Sequence, residues 1–135
     1  MKRITVLLAD DHAVVREGFR EILELEDDFE VVGEAEDGRQ AVAMVKTLRP
    51  GVVLMDIAMP QLNGLEAARQ ILKAVPSTRI LILTAHNDDA YVKSATESGA
   101  VGFMLKHAAA RVLSEGIREV AKPRRVACRF ARAEK

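Results

Sequence analysis

The chain has 135 residues, 49% hydrophobic and 30% charged, with 20 Lys+Arg against 20 Asp+Glu. This excludes a disordered chain and a global electrostatic pull toward nucleic acid or membrane, and the length suits one ordinary domain able to bury a core without disulfides or a structural metal. The lone cysteine, Cys128, cannot form an internal disulfide, which points to a reduced, cytoplasmic setting; no apolar run is long enough to cross a bilayer, and the stretch after Met1-Lys2-Arg3 breaks at Asp10-Asp11, too early for a secretory signal.

Short apolar runs then alternate with longer segments of helical period. Ile4-Thr5-Val6-Leu7-Leu8-Ala9 reads as a buried strand. Val15, Phe19, Ile22 and Leu23 follow the spacing of one helical face. Glu30 to Ala35 is a weaker strand, and Ala41, Val45 and Leu48 mark a second helix ended by Pro50. Val52-Val53-Leu54-Met55 is a strong strand, followed by a helix on Leu65, Ala68, Ile71 and Leu72 that closes at Pro76. Ile80-Leu81-Ile82-Leu83 is the fourth strand. The segment 88–98, with Tyr91, Val92 and Ala95, has few large aliphatics and predicts a loosely held helix. Val101 to Leu105 is the fifth strand, and Leu113, Ile117, Val120 and Ala121 the last helix. Strands apolar at nearly every position are covered on both faces, as in parallel sheets. Five strand–helix alternations therefore predict an α/β fold, a doubly wound five-stranded parallel sheet with helices on both faces and right-handed crossovers.

From Lys122 to Lys135 the composition changes, with Lys122, Arg124, Arg125, Arg129, Arg132 and Lys135 against one acid, Glu134. Residues 1–121 are expected to form the domain, and 122–135 a basic tail, either a linker remnant or cloning-derived sequence.

In such sheets, ligands bind outside the carboxyl ends of the strands. The residues that follow the apolar runs are Asp10 and Asp11, Asp56, Thr84-Ala85, and Lys106. Taken singly, each is an ordinary turn or surface residue. Together they would put three carboxylates, a hydroxyl and an ammonium at one sheet edge. Crowded carboxylates raise each other's pKa unless a cation is present, and hard oxygen ligands suit Mg²⁺ (or Mn²⁺). The cation and Lys106 would neutralise an incoming phosphoryl group, Asp56 would be the nucleophile forming an acyl phosphate, and Thr84 could donate its hydroxyl to a phosphoryl oxygen.

Those residues carry a resemblance. The chain resembles the receiver domain of two-component response regulators over about residues 3–121. The match rests on Leu8-Ala9-Asp10-Asp11-His12, on Val53 to Pro60 with Asn63-Gly64, on Leu83-Thr84-Ala85 and on Gly102-Phe103-Met104-Leu105-Lys106. The wording Val15-Arg16-Glu17-Gly18 is similar to the subfamily with a helix-turn-helix output domain. The resemblance implies a flavodoxin-like strand order 2-1-3-4-5. It implies that Asp56 is the phosphoacceptor and a sensor histidine kinase phosphohistidine the donor. Asp11, Asp56 and the backbone carbonyl of Ala58 would bind Mg²⁺ directly, with Asp10 acting through water. Lys106 and Thr84 would hold the phosphoryl group, and Thr84 with Phe103 would form the switch. The bland alternative for Phe103 is plain core packing. The implied output is transcription through a DNA-binding domain outside this chain, with no DNA binding by the chain alone and phosphorylation-driven homodimerisation compatible with the resemblance. The alternative is a stand-alone receiver acting by protein–protein contact or as a phosphorelay intermediate.

Four further expectations follow. His12, His86 and His107 read as exposed loop residues with no metal-ligand spacing, so no zinc site is expected. Ala58 and His86 occupy positions that tune water access to the phosphoaspartate in the family; Ala58 has no polar group, so self-hydrolysis should be slow. His107 stands where many members have proline, so a trans bond is expected, because cis before a non-proline residue costs about 2.5–4 kcal/mol. The last helix, starting Ala108-Ala109-Ala110 without a capping side chain and carrying Gly116, should fray, at a cost of about 0.5–2 kcal/mol for the cap and roughly 1 kcal/mol for the glycine.

The chain is not expected to be an enzyme with an external substrate. A phosphatase or phosphotransferase with an Asp nucleophile would place a second Asp two residues on, where this chain has Ala58. A nucleotide- or flavin-binding module would need a glycine-rich phosphate loop after the first strand, where Asp10-Asp11 stands.

Overall fold

The computed structural model describes residues 3–57, 59–84, 99, 102–105, 109–121 and 128–129. The elements run β1 (Ile4–Ala9), α1 (Ala13–Glu24), β2 (Phe29–Ala35), α2 (Gly38–Leu48), β3 (Val52–Asp56), α3 (Gly64–Ala74), β4 (Arg79–Thr84), β5 (Gly102–Leu105), α4 (Ala109–Ala121) and β6 (Cys128–Arg129). The expected helix over 88–98 lies outside the described residues, so α4 corresponds to the last helix of the sequence reading.

The strands explain their own composition. Along β1, Leu7 and Ala9 enter one core while Val6 and Leu8 enter another. Val53 and Met55 in β3, and Ile80 and Ile82 in β4, join the first core; Val52, Leu54, Leu81 and Leu83 join the second. Side chains alternate across a strand with period two, so a strand covered on both faces must be apolar throughout. The first core is closed by Ala41, Val42 and Val45 of α2 and by Ala67, Ala68 and Ile71 of α3. The second is closed by Phe19 and Leu23 of α1 and by Leu113, Ile117 and Val120 of α4. Each helix therefore buries one stripe, against the face its crossover brings it to.

All pairings are parallel, and the five expected strands stand in the order 2-1-3-4-5. The sheet extends further than expected: the two-residue β6, inside the segment read as a tail, pairs in parallel with the outer edge of β5. A strand so short has little sequence signal of its own, and only the tertiary position of β5 creates it.

Local signals set the helix ends. Asp37 caps α2, its Oδ1 accepting from the Gln40 amide at 2.8 Å, and Asn63 caps α3, its Oδ1 accepting from Glu66 at 2.9 Å. Each satisfies an amide that would otherwise lack an intrahelical partner. Helix α2 ends at Arg49 in the left-handed region, φ 47°, immediately before Pro50. Helix α1 starts at His12, whose side chain makes no capping bond; the imidazole is engaged elsewhere.

Candidate functional site

Parallel register brings the acids together. Ala9 pairs with Met55, so Asp10 and Asp56 stand one residue further along adjacent strands, at the carboxyl edge of the sheet. Asp56 in turn pairs with Leu83, which puts Thr84 one step beyond it on the other side. Asp10, Asp56 and Thr84 are all buried, with 2%, 3% and 2% exposure, although they lie at strand ends. Asp11 is exposed at the rim.

Asp10, Asp11, His12 and Asp56 each bring one ligand atom to within 4.8 Å of all the others. His12 Nδ1 lies 3.0 Å from Asp10 Oδ1 and 3.1 Å from Asp11 Oδ1, and the His12 amide donates to Asp10 Oδ1 at 2.8 Å. By sequence alone His12 reads as an exposed loop residue. Its side chain is indeed 61% exposed, yet the turn before α1 folds it over both neighbouring acids. The available signal was its place directly after two carboxylates.

Two buried carboxylates a strand apart are costly as anions unless positive charge compensates them. The donor set fits a divalent cation: carboxylate oxygens dominate, as hard cations require, and one imidazole stands beside them. The cluster is therefore chemically suited to hold such an ion.

A second residue absent from the sequence-based site supports this edge. Arg16, one turn into α1, donates from Nη1 to the Asp10 carbonyl oxygen at 2.5 Å and from Nε to Glu34 Oε1 at 2.9 Å. Arg20 pairs with the other oxygen of Glu34. The Asp10 amide meanwhile donates to Ala35 O at 3.0 Å. The backbone carrying Asp10 is thus tied on both sides to β2 and α1. Sequence spacing could not reveal this, because Arg16 and Glu34 meet only through the β1–β2 pairing.

Gly64 supports the other side. Its amide donates to Ile57 O at 2.9 Å. A Cβ there would run into the Asp56 carbonyl oxygen and approach Ile57 Cα to 2.8 Å. Only glycine allows α3 to start this close behind Asp56.

Phe103 on β5 is buried, 4% exposed, in the core shared by Met55, Ile57, Met59 and Ile82. Lys106, the Ala58 carbonyl, His86 and the Lys106-His107 bond lie outside the described residues.

Fold and site together define a doubly wound parallel α/β domain with a cation-suited acidic cluster at the carboxyl edge of its sheet. Residues 6–118 match the response regulator receiver domain, and the chain belongs to that family. It is thus a receiver domain of two-component response regulators. It is 42% identical over 120 residues to the transcriptional regulatory protein DegU of Brevibacillus brevis, covering 89% of this chain and 51% of DegU. The chain spans about half the length of the curated relatives it matches. Among solved structures, the signal receiver domain of the putative response regulator NarL from Mycobacterium tuberculosis superposes with a TM-score of 0.86 at 34% identity, covering 92% of this chain and all (100%) of that one. The isolated REC domain of RcsB from Salmonella enterica serovar Typhimurium, solved in the presence of phosphomimetic BeF3-, gives 0.83 at 28% identity, covering 93% and 94%. No helix among the described residues is long and apolar enough to cross a membrane.

Proposed function

We propose that this receiver domain accepts a phosphoryl group on Asp56 from a phosphohistidine of a sensor histidine kinase, with Mg²⁺ at the acidic cluster. The observation that carries the reading is the convergence of Asp10, Asp11 and Asp56 within 4.8 Å of one another beside the buried Thr84. In the transfer, an Asp56 carboxylate oxygen forms the new bond to phosphorus, the phosphorus–nitrogen bond of the donor breaks, and the imidazole leaves with its electron pair. Bound Mg²⁺ would neutralise charge on the phosphoryl oxygens. Asp11, Asp56 and the Ala58 carbonyl would hold the ion, with Asp10 acting through water. Thr84 donates its hydroxyl to a phosphoryl oxygen and Lys106 supplies the remaining positive charge. The likeness to the RcsB receiver, solved in the presence of phosphomimetic BeF3-, supports a phosphoryl-accepting role. Val14, 84% exposed on the first turn of α1 and two residues from His12, offers the donor protein an apolar contact beside the site.

The switch follows from Thr84 and Phe103, on neighbouring strands β4 and β5. Attraction of Thr84 to the phosphoryl group shifts the population toward a second arrangement of that edge. The output is transcriptional, through a DNA-binding domain outside this chain; the likeness to DegU supports this. The domain acts in the cytoplasm, it turns over no external substrate, and phosphorylation favours its homodimer.

Mass spectrometry after incubation with acetyl phosphate and Mg²⁺ tests the core of the proposal. One phosphoryl group should appear on the native chain and not on Asp56→Asn; an unmodified native chain rejects it.

A further inference from the structure

The outer edge of β5 is the place where a parallel sheet of this topology would normally end, with a row of amides and carbonyls facing outward. Here it is covered by backbone from the segment 122–135. Gly102 pairs with Cys128 and Phe103 with Arg129, both in parallel. The connection repeats the βαβ unit used throughout the sheet: β5 leads into α4, and α4, through the six residues 122–127, into β6. A connection of that length is ordinary between a helix and the next strand.

The sequence of the segment admits such a strand without announcing it. Val126, Cys128 and Phe130 alternate with Arg125, Ala127, Arg129 and Ala131. Larger apolar residues thus recur at every second position around the paired residues, which is compatible with one face of a strand, while the pairing with β5 is what places the strand there. Short length and interspersed charge are also how natural sheets end an edge without inviting a further strand. A flexible linker would show no fixed register with β5.

From these observations we infer that residues 122–135 carry a self-docking edge strand. It occupies the backbone of Gly102 and Phe103, so any extended segment from another molecule must displace it to add to the sheet at β5. The tail is then part of the domain, and the β5 edge is a strand-accepting surface filled by the chain itself. The inference goes beyond the phosphoryl chemistry and does not depend on it.

Amide hydrogen exchange tests it on the full chain and on the double variant Cys128→Pro/Arg129→Pro, which removes both β6 amides and touches no site residue. The β5 amide that faces β6 should exchange on the order of tenfold faster in the variant, while β1 and β3 amides keep their rates. Equal β5 rates in both proteins overturn the inference. Should the variant lose its fold, the native chain gives the answer directly. Cys128 is its only cysteine, so a nitroxide attaches there alone. Broadening of amide signals strongest at Gly102 and Phe103, and falling strand by strand toward β2, supports docking; broadening with no maximum at β5 overturns it.

Discussion

Arg118 of α4 grips Asp28, at the entrance to β2, with two hydrogen bonds: Nε to Oδ2 at 2.7 Å and Nη2 to Oδ1 at 3.0 Å. The same Nη2 reaches Glu26 Oε1 at 2.6 Å, and the guanidinium carbon lies 4.9 Å from the centroid of the Phe29 ring. One side chain therefore fastens the last helix to the loop between α1 and β2. All three charged groups are about a third or more exposed, so solvent and salt discount each pair. Planar two-point contact and the aromatic face recover part of that loss. Arg118→Ala should cost about 1–2 kcal/mol in urea unfolding, and Arg118→Lys should recover less than half of it, since lysine cannot make the forked contact.

The same contact sets a pH dependence. Hydrogen bonding to Arg118 is the main reason the Asp28 carboxyl is held below its ordinary range, with burial opposing it; hydrogen bonds to Asp28 and then Glu26 push the guanidinium pKa up. A carboxyl whose folded pKa is depressed contributes stability that is full above its unfolded value, about 3.9, and is lost as pH falls through the folded value. The stability difference between the native chain and Asp28→Asn should thus be constant above about pH 5 and shrink below about pH 4. A difference that persists unchanged to the lowest pH at which the chain stays folded would contradict the assignment.

Arg16 is a positioning residue for the acidic cluster. Arg16→Ala releases the Asp10 carbonyl and one partner of Glu34, and should destabilise by about 1–3 kcal/mol. It should also weaken Mg²⁺ or Mn²⁺ binding by about tenfold, as loss of an orienting contact behind a metal site typically does. A titration well below the melting temperature separates the two effects. Unchanged affinity would confine Arg16 to a stability role.

Gly64→Ala should be more damaging than its one added methyl suggests. The new Cβ falls on the Asp56 carbonyl oxygen, so the start of α3 or the end of β3 must move, at about 1–3 kcal/mol. Alanine at Gly18, where nothing lies within 4 Å of an added Cβ, is the control and should be neutral or slightly stabilising, by up to about 1 kcal/mol.

With Ala58 offering no polar group two residues after Asp56, the phosphorylated chain should persist over minutes rather than seconds once acetyl phosphate is removed. Ala58→Asn should shorten that lifetime. Decay within seconds in the native chain would end the idea.

Much of this protein is written in its sequence by itself. Apolar runs such as Val52-Val53-Leu54-Met55 and Ile80-Leu81-Ile82-Leu83 declare strands covered on both faces, and period-3.6 stripes such as Phe19 and Leu23 declare helices with one buried side. Acids placed directly after those runs could be assigned to one sheet edge because parallel strands share a direction. Asp10, Asp56 and Thr84 are found there together. Other features depend on who becomes whose neighbour. Arg16 and Glu34 are 18 residues apart and Arg118 and Asp28 are 90 apart, and no local pattern announces either pair. His12 bends over Asp10 and Asp11 only because the turn into α1 is tied down, and β6 exists only where the bare edge of β5 stands ready to pair. Local sequence sets the period and the ends of elements through short-range sterics and hydrogen bonding. Long-range ion pairs, close backbone approaches and edge pairing arise when packing brings distant groups together, and only the tertiary structure decides them.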